Sequence, residues 1–491
     1  MAKVKAFRVG AADEPTFYND FEVLRKAVLQ VTDIANNNNK YYAVELHLGL
    51  GAAAADTAQF RVFTHYGRTD DLETNPNAGA KESRYLADLG SAEACYQQIF
   101  KEKSSPSKGY KEVFLASSNI GSAKARGTSS GEVDAKTLER IEGEKEKRAA
   151  RPPSSLNADV QSLIRYIYAE ATTALTTTVA AKITANGIET PLGVLTLGQI
   201  ERGEAVLLQL YALLQKHGAA TGTAQISDAK FAAATQEYSG EFYTCIPHRI
   251  GRTRDAIASS VINNLEQFEQ KQETLQLMKD MLQVNGDSGS VLFSDEIDLK
   301  YQALKCGVSM LQPGSIEFQR VADHIIKSQI KSKSIKVRNI YTLRRDHEYD
   351  AFRSDIANQR ELFHGSRVKN WVGLLSRGIL MPKIAVSMGV NRTDAGWLGN
   401  GIYFGDTSCT AAFYTTAGTK GSRFMAVARV ALGKMKEFTK ITYGIEKPPE
   451  GFESCHGVRH KLLRPSQFAD DEFVIYAQNQ QRLEYLVEFN V

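Results

Sequence analysis

The chain has 491 residues, 43% of them apolar and 24% charged, an ordinary globular composition with room for about three domains. Lys and Arg number 60 against 56 Asp and Glu, so the net charge of +4 excludes a basic coat over the whole surface. The five cysteines, Cys95, Cys245, Cys306, Cys409 and Cys455, are far apart and form no CxxC pair; a zinc-finger or disulfide framework is excluded, no metal is expected, and a reducing compartment is favoured. The start, MAKVKAFRVG, has no apolar signal-peptide stretch, and no apolar run approaches the roughly 18 residues of a membrane span. A soluble, intracellular protein is the expectation.

Strand patterns dominate the first 122 residues. Tyr41–Leu48 alternates apolar and polar residues after the turn-prone Asn36–Asn39 run, and Gln59–Thr64 repeats the pattern. Residues 82–103 read as an amphipathic helix, completing a small α/β module. Residues 123–153 read as a linker: a Gly/Ser/Ala-rich start, then KTLERIEGEKEKR with little to bury, then Pro152-Pro153. Residues 154–290 follow helical spacing, with Leu156, Val160, Leu163, Ile164 and Ile167 forming the first stripe, and predict an all-α bundle. Residues 291–491 turn to short strands with Gly-rich turns, at 336–343, 361–365, 401–404, 423–432, 472–477 and 482–489. The whole is a multidomain α+β chain whose last domain is mainly β.

Three clusters in that last domain carry chemistry. Leu362-Phe363-His364-Gly365-Ser366-Arg367 leads an apolar pair into a His and a Gly, where backbone can approach a ligand. Gly399-Asn400-Gly401-Ile402-Tyr403-Phe404 is followed eleven positions after Tyr403 by Tyr414, and two such tyrosines can clamp a flat ring. Asp470-Asp471-Glu472 opens an apolar strand; a carboxylate there can bind a sugar hydroxyl and stabilise developing positive charge.

In this order the clusters resemble the His-Tyr-Glu signature of the poly(ADP-ribose) polymerases. The resemblance extends to Ser366–Gly378, to Asn339–Glu348, and to the stretches Pro191–Leu195 and Phe242–His248, which are similar to the family's helical regulatory domain. Phe60–Arg68 resembles the Trp-Gly-Arg domain of DNA-responsive members, with Tyr66 in the Trp position. The resemblance implies NAD as substrate and an ADP-ribosyltransferase catalytic domain. By similarity His364 positions a ribose hydroxyl, Gly365 backbone groups hold the carboxamide with Thr410 as a neighbour that could share it, Ser366 belongs to the NAD-binding set, Tyr414 stacks on the nicotinamide, Tyr403 lines the site, and Glu472 binds the 2′-hydroxyl and polarises an acceptor hydroxyl. Nicotinamide is a cationic leaving group, so orientation and negative charge matter more than a strong acid.

Several positions depart from the family pattern. Ala411 stands where a Ser usually meets the carboxamide, Thr410 where a Lys often precedes it, and Leu380 where an Arg often meets the adenosine phosphates, leaving Arg377, Lys383 or Arg392 for that contact. The loop 381–399 is longer than the family's. Basic and acidic residues are nearly equal in number over 1–122, so DNA contact falls to Lys40, Arg61, Tyr66, Gly67, Arg68 and Lys108. The basic stretch 327–345 reads as a solvated strand edge, with polymer product as the alternative. The implied function is a DNA-damage-stimulated poly(ADP-ribose) polymerase acting on proteins, itself included. The alternatives are a mono-ADP-ribosyltransferase and a DNA-bound interaction module with a weakened NAD pocket. The expected location is the nucleus in a eukaryote, or the cytoplasm and nucleoid in a bacterium.

Overall fold

The computed structural model describes residues 4–50, 57–130, 154, 156–179, 181–184, 187–218, 228–248, 250, 253–286, 297–330, 334–381 and 396–491. By compactness the chain divides into two units: residues 1–150 with 175–282, and residues 151–174 with 283–491. The first helix of the helical region, Ala158–Thr178, therefore lies mostly in the second unit. No helix among the described residues is long and apolar enough to cross a membrane.

In the first unit, six strands form an antiparallel sheet in the order Phe7–Arg8, Ala80–Leu86, Phe60–Arg68, Asn38–Gly49, Phe21–Asp33, Lys111–Glu112. The helix Leu89–Lys103 lies across it, burying Ala92, Cys95, Tyr96 and Ile99 against Val44, Leu46 and Val62. The helix expected over 82–103 is thus shorter. Residues up to Leu86 pair with Phe60–Tyr66, and Asp88 starts the helix by accepting a hydrogen bond from the Ser91 amide at 2.8 Å.

The linker expected from residue 123 begins later. Ser122–Ser130 folds back on the sheet: fully buried Glu45 accepts from the Ser122 amide (3.0 Å) and hydroxyl (2.6 Å), and Lys26 donates to the Ile120 and Ala125 carbonyls at 3.2 and 2.6 Å. A buried carboxylate and ammonium must find such partners, which fixes the segment. Residues 131–153 lie outside the described residues.

The helical region is not all-α. Leu115–Ser118, Gly193–Leu195, Gly187–Thr190 and Lys182–Thr184 form a four-stranded antiparallel sheet, so the Pro191–Leu195 stretch is largely strand. Gly193 has φ +145°, and a Cβ there would meet the Ser117 carbonyl at 2.0 Å, so glycine is required. The helices Leu197–Gly218, Asp228–Cys245, Arg254–Ser259 and Leu265–Gly286 follow. Thr244 accepts from the Thr32 amide at 2.9 Å, and Arg202 donates to the Glu112 carbonyl at 2.9 Å, tying helices to the first sheet within this unit.

The second unit is built on a nine-stranded sheet, ordered Gly307–Met310, Lys336–Arg344, Gln481–Asn490, Arg423–Ala431, Gln359–Ser366, Ile402–Gly405, Glu472–Ile475, Ser454–Gly457, Met435–Phe438. Only the last pair is parallel. The helix Ile316–Lys327 covers one face, packing Val321, Ala322 and Ile325 on Phe363, Met425 and Val487. The expected strands all occur, with ends shifted by one or two residues. Gln359–Ser366 shares eight pairs with Arg423–Ala431 but meets Ile402–Gly405 through one pair, Phe363 opposite Gly405. The sheet is seamed there.

Candidate active site

The register across the seam brings distant sequence together. Phe363 faces Gly405, Gly405 faces Glu472, and Glu472 faces Gly457. His364, one residue beyond this row, bonds through Nδ1 to the Tyr403 carbonyl at 3.0 Å. A carbonyl only accepts, so Nδ1 carries the proton and Nε2 is the acceptor. Burial lowers the imidazole pKa and keeps the ring neutral.

Gly365 sits against the Ala411 carbonyl, where a Cβ would approach to 1.8 Å. Ala411 is 3% exposed and part of the core, on the short helix Ser408–Phe413. The Thr410 hydroxyl is bonded to that of Thr407 at 2.6 Å, so it is already engaged. Ser366 accepts from the Asn370 side chain at 3.1 Å. Tyr414 follows the short helix with 66% of its surface exposed, its ring uncovered among the described residues. The Tyr403 hydroxyl donates to the Gly399 carbonyl at 2.8 Å and accepts from the Leu398 amide at 2.9 Å. Its place is therefore as a wall and as the strand that orients His364.

Glu472 is the outlier in charge. No hydrogen-bond partner reaches its carboxylate among the described residues, and burial, then the neighbouring Asp470, push its pKa up to about 7. Tyr414 lies within its electrostatic reach. Asp471 turns away: it accepts from His456 Nε2 at 2.7 Å and from the Arg459 amide at 3.0 Å, while Arg459 also donates to Asp406 at 2.8 Å. The sequence reading missed Asp406, His456 and Arg459, whose pairing with the Asp470-Asp471 run depends on strand register. Among the proposed phosphate contacts, Arg377 donates to the Gly378 carbonyl at 2.9 Å; Lys383 and Arg392 fall outside the described residues, as does most of the loop 381–399. Leu380 is half-buried.

Family models match at three places: a WGR domain over residues 25–115, the regulatory domain of poly(ADP-ribose) polymerase over 154–286, and its catalytic domain over 315–465. The chain belongs to the poly(ADP-ribose) polymerase family. It is 30% identical over 476 residues to the mouse protein mono-ADP-ribosyltransferase PARP4, covering 97% of this chain and 21% of that one. It is 31% identical over 339 residues to the human protein of the same name, covering 69% and 18%. It is 26% identical over 513 residues to human poly [ADP-ribose] polymerase 2, covering 94% and 79%. The chain thus spans about a fifth of the first two relatives and most of the third.

In this polymerase-family chain the WGR motif residues are largely turned to internal use. Tyr66 stacks on Tyr42 at 5.2 Å and donates to Glu82 at 2.8 Å. Gly67 permits close approach of Gly79 and the Tyr41 ring. Arg68 donates to the Asn37 carbonyl at 3.0 Å and to Asp70 at 3.2 Å. Arg61 is drawn inward: its guanidinium lies 4.2 Å from the Phe17 ring centre and donates to His47 at 3.2 Å. Lys40 and Lys108 are exposed. In the basic stretch, Lys327 pairs with Asp323, Arg344 with Asp346 and Arg345 with Glu348; Lys331 and Lys333 are outside the described residues.

Proposed function

We propose that this protein is a DNA-strand-break-stimulated, NAD-dependent poly(ADP-ribose) polymerase that modifies proteins, itself included, and elongates the chain with release of nicotinamide. The observation that carries the reading is Glu472: a half-buried carboxylate opposite Gly405, with no hydrogen-bond partner among the described residues and within the field of an exposed Tyr414. NAD supplies a cationic leaving group and the ribosyl carbon that is transferred. The residues present suit it. In this reading the backbone of Gly365 meets a flat amide, and the exposed Tyr414 offers a face for the ring. His364 Nε2 accepts a ribose hydroxyl. Glu472, when ionised, stabilises positive charge developing on the sugar and draws the proton of an incoming hydroxyl. Ala411 supplies no hydroxyl, so amide recognition rests on backbone.

Control by the helical region fits contacts inside the second unit. Glu170, on Ala158–Thr178, accepts from the Thr419 amide and hydroxyl at 2.6 and 2.5 Å, and the Tyr166 hydroxyl accepts from the Lys420 amide at 3.2 Å. The held segment begins a few residues after Tyr414. DNA at the N-terminal module acts by favouring a state in which this hold is released. Glu170→Ala should raise DNA-independent turnover several-fold, up to about tenfold. Unchanged basal turnover would remove Glu170 from the control path. We place the protein in the nucleus of a eukaryote or the nucleoid of a bacterium.

A second reading, mono-ADP-ribosyl transfer, is favoured by the names of the two PARP4 relatives. Labelled NAD with and without nicked DNA, resolved on a denaturing gel, separates the readings. A DNA-dependent ladder supports polymerisation, and a single small shift supports mono-transfer. Absence of both label and free nicotinamide leaves a DNA-bound interaction module.

A further inference from the structure

The helical region of the first unit holds a cavity of about 180 Å³ that the transfer reaction does not use. It is lined by Tyr243, His248, Ser260, Gln267, Gln270 and Lys271, among others. His248 is 5% exposed, and its Nδ1 bonds to the Ile246 carbonyl at 2.7 Å, so Nδ1 carries the proton. Nε2 is then a buried lone pair with no partner among the described residues. Native structures rarely leave such an atom unsatisfied. Half-buried Lys271 lies 5.3 Å from the Tyr243 ring centre and pairs with no carboxylate among the described residues. Burial pushes its ammonium down to about 8, and burial, then the Lys271 charge, pushes His248 down to about 3. Gln267 spends its carbonyl on the Asn263 amide at 3.0 Å, leaving its NH₂ to donate.

A bare acceptor beside an uncompensated cation specifies a ligand with an O–H and an anionic oxygen on one small group. We infer that this cavity binds a hydrogen-bearing phosphate, its P–O–H donating to His248 Nε2 and its oxyanion pairing with Lys271 and the Gln267 amide. The space suits one phosphoryl head, carried either by inorganic phosphate or by a nucleoside monophosphate whose remainder stays outside.

The test is thermal denaturation of the full chain at pH 6 with inorganic phosphate, sulfate or AMP. Phosphate retains a proton there and sulfate does not. The expected result is a saturable stabilisation by phosphate, with sulfate weaker by about tenfold or more because its site partner at Nε2 stays unpaired. Lys271→Gln should abolish the phosphate effect while melting normally in buffer, and Lys271→Arg should retain it. AMP binding about tenfold tighter than phosphate would assign a nucleotide source, and equal affinity would assign free phosphate. Equal effects of phosphate and sulfate, no saturation, or an unchanged response in Lys271→Gln would overturn the site.

Discussion

Tyr66-Gly67-Arg68 and the trio Gly365, Tyr414 and Glu472 were singled out by the same kind of motif matching, yet the fold treats them in opposite ways. The first set is tied into its own module: Tyr66 to Tyr42 and Glu82, Arg68 to Asn37 and Asp70. In the second, Tyr414 is 66% exposed and Glu472 is held off its ordinary pKa without a hydrogen-bond partner among the described residues. Committed groups hold a shape, whereas uncommitted ones hold free energy available to a ligand. Structure for one motif and chemistry for the other are roles that substitution can break one at a time.

The largest effect should come from Glu472→Gln, which removes the charge while keeping the shape. Transfer should fall by about 10²–10³-fold; a variant within threefold of the parent would end the catalytic role. The same change should stabilise the fold. A carboxyl raised from 4.5 to about 7 on folding loses stability as pH rises through that window, and the loss is complete above it. At pH 8 the variant should gain about 1–3 kcal/mol in denaturant unfolding, and near pH 4 nothing.

Gly365→Ala drives a methyl into the Ala411 carbonyl and should cost about 10²-fold in activity, with a lowered Tm. Tyr414→Ala should raise KM for NAD about tenfold and leave Tm unchanged, since the ring is exposed in the free protein. Asp470→Asn removes the second cause of the raised Glu472 pKa. The rising limb of the activity–pH profile, centred near 7, should move to lower pH, and an unmoved limb would place the titrating group elsewhere.

The smallest effects sharpen the other side. Arg68→Ala should cost about 1–2 kcal/mol of stability through its lost hydrogen bonds. Exposed Lys40→Ala should leave Tm alone and reduce the salt slope of DNA binding by about 1. The reverse pattern would return Arg68 to the DNA face.

Local patterns revealed most of this architecture. Alternation marked the strands, and the order of His364, Tyr403, Tyr414 and Glu472 marked the site. What stayed hidden depended on partners far away in sequence. Ser122–Ser130 looked like linker because its anchors, Lys26 and Glu45, lie on other strands. Gly193–Leu195 looked helical in context because its neighbour, Leu115–Ser118, belongs to a distant stretch. Arg61 looked available for DNA because the rings of Phe17 and Phe21 that enclose it are some forty residues upstream.

The one-pair seam between Gln359–Ser366 and Ile402–Gly405 has a mechanical meaning. It divides the nine-stranded sheet into two plates, one bearing His364 and Gly365 and the other bearing Tyr403 and Glu472. Besides that pair, the bond from His364 to the Tyr403 carbonyl crosses the join, so the two plates are coupled there by one backbone pairing and one imidazole. A Cβ at Gly405 would lie 3.3 Å from Thr410, so a bulky residue there would press on the short helix Ser408–Phe413 that carries Ala411.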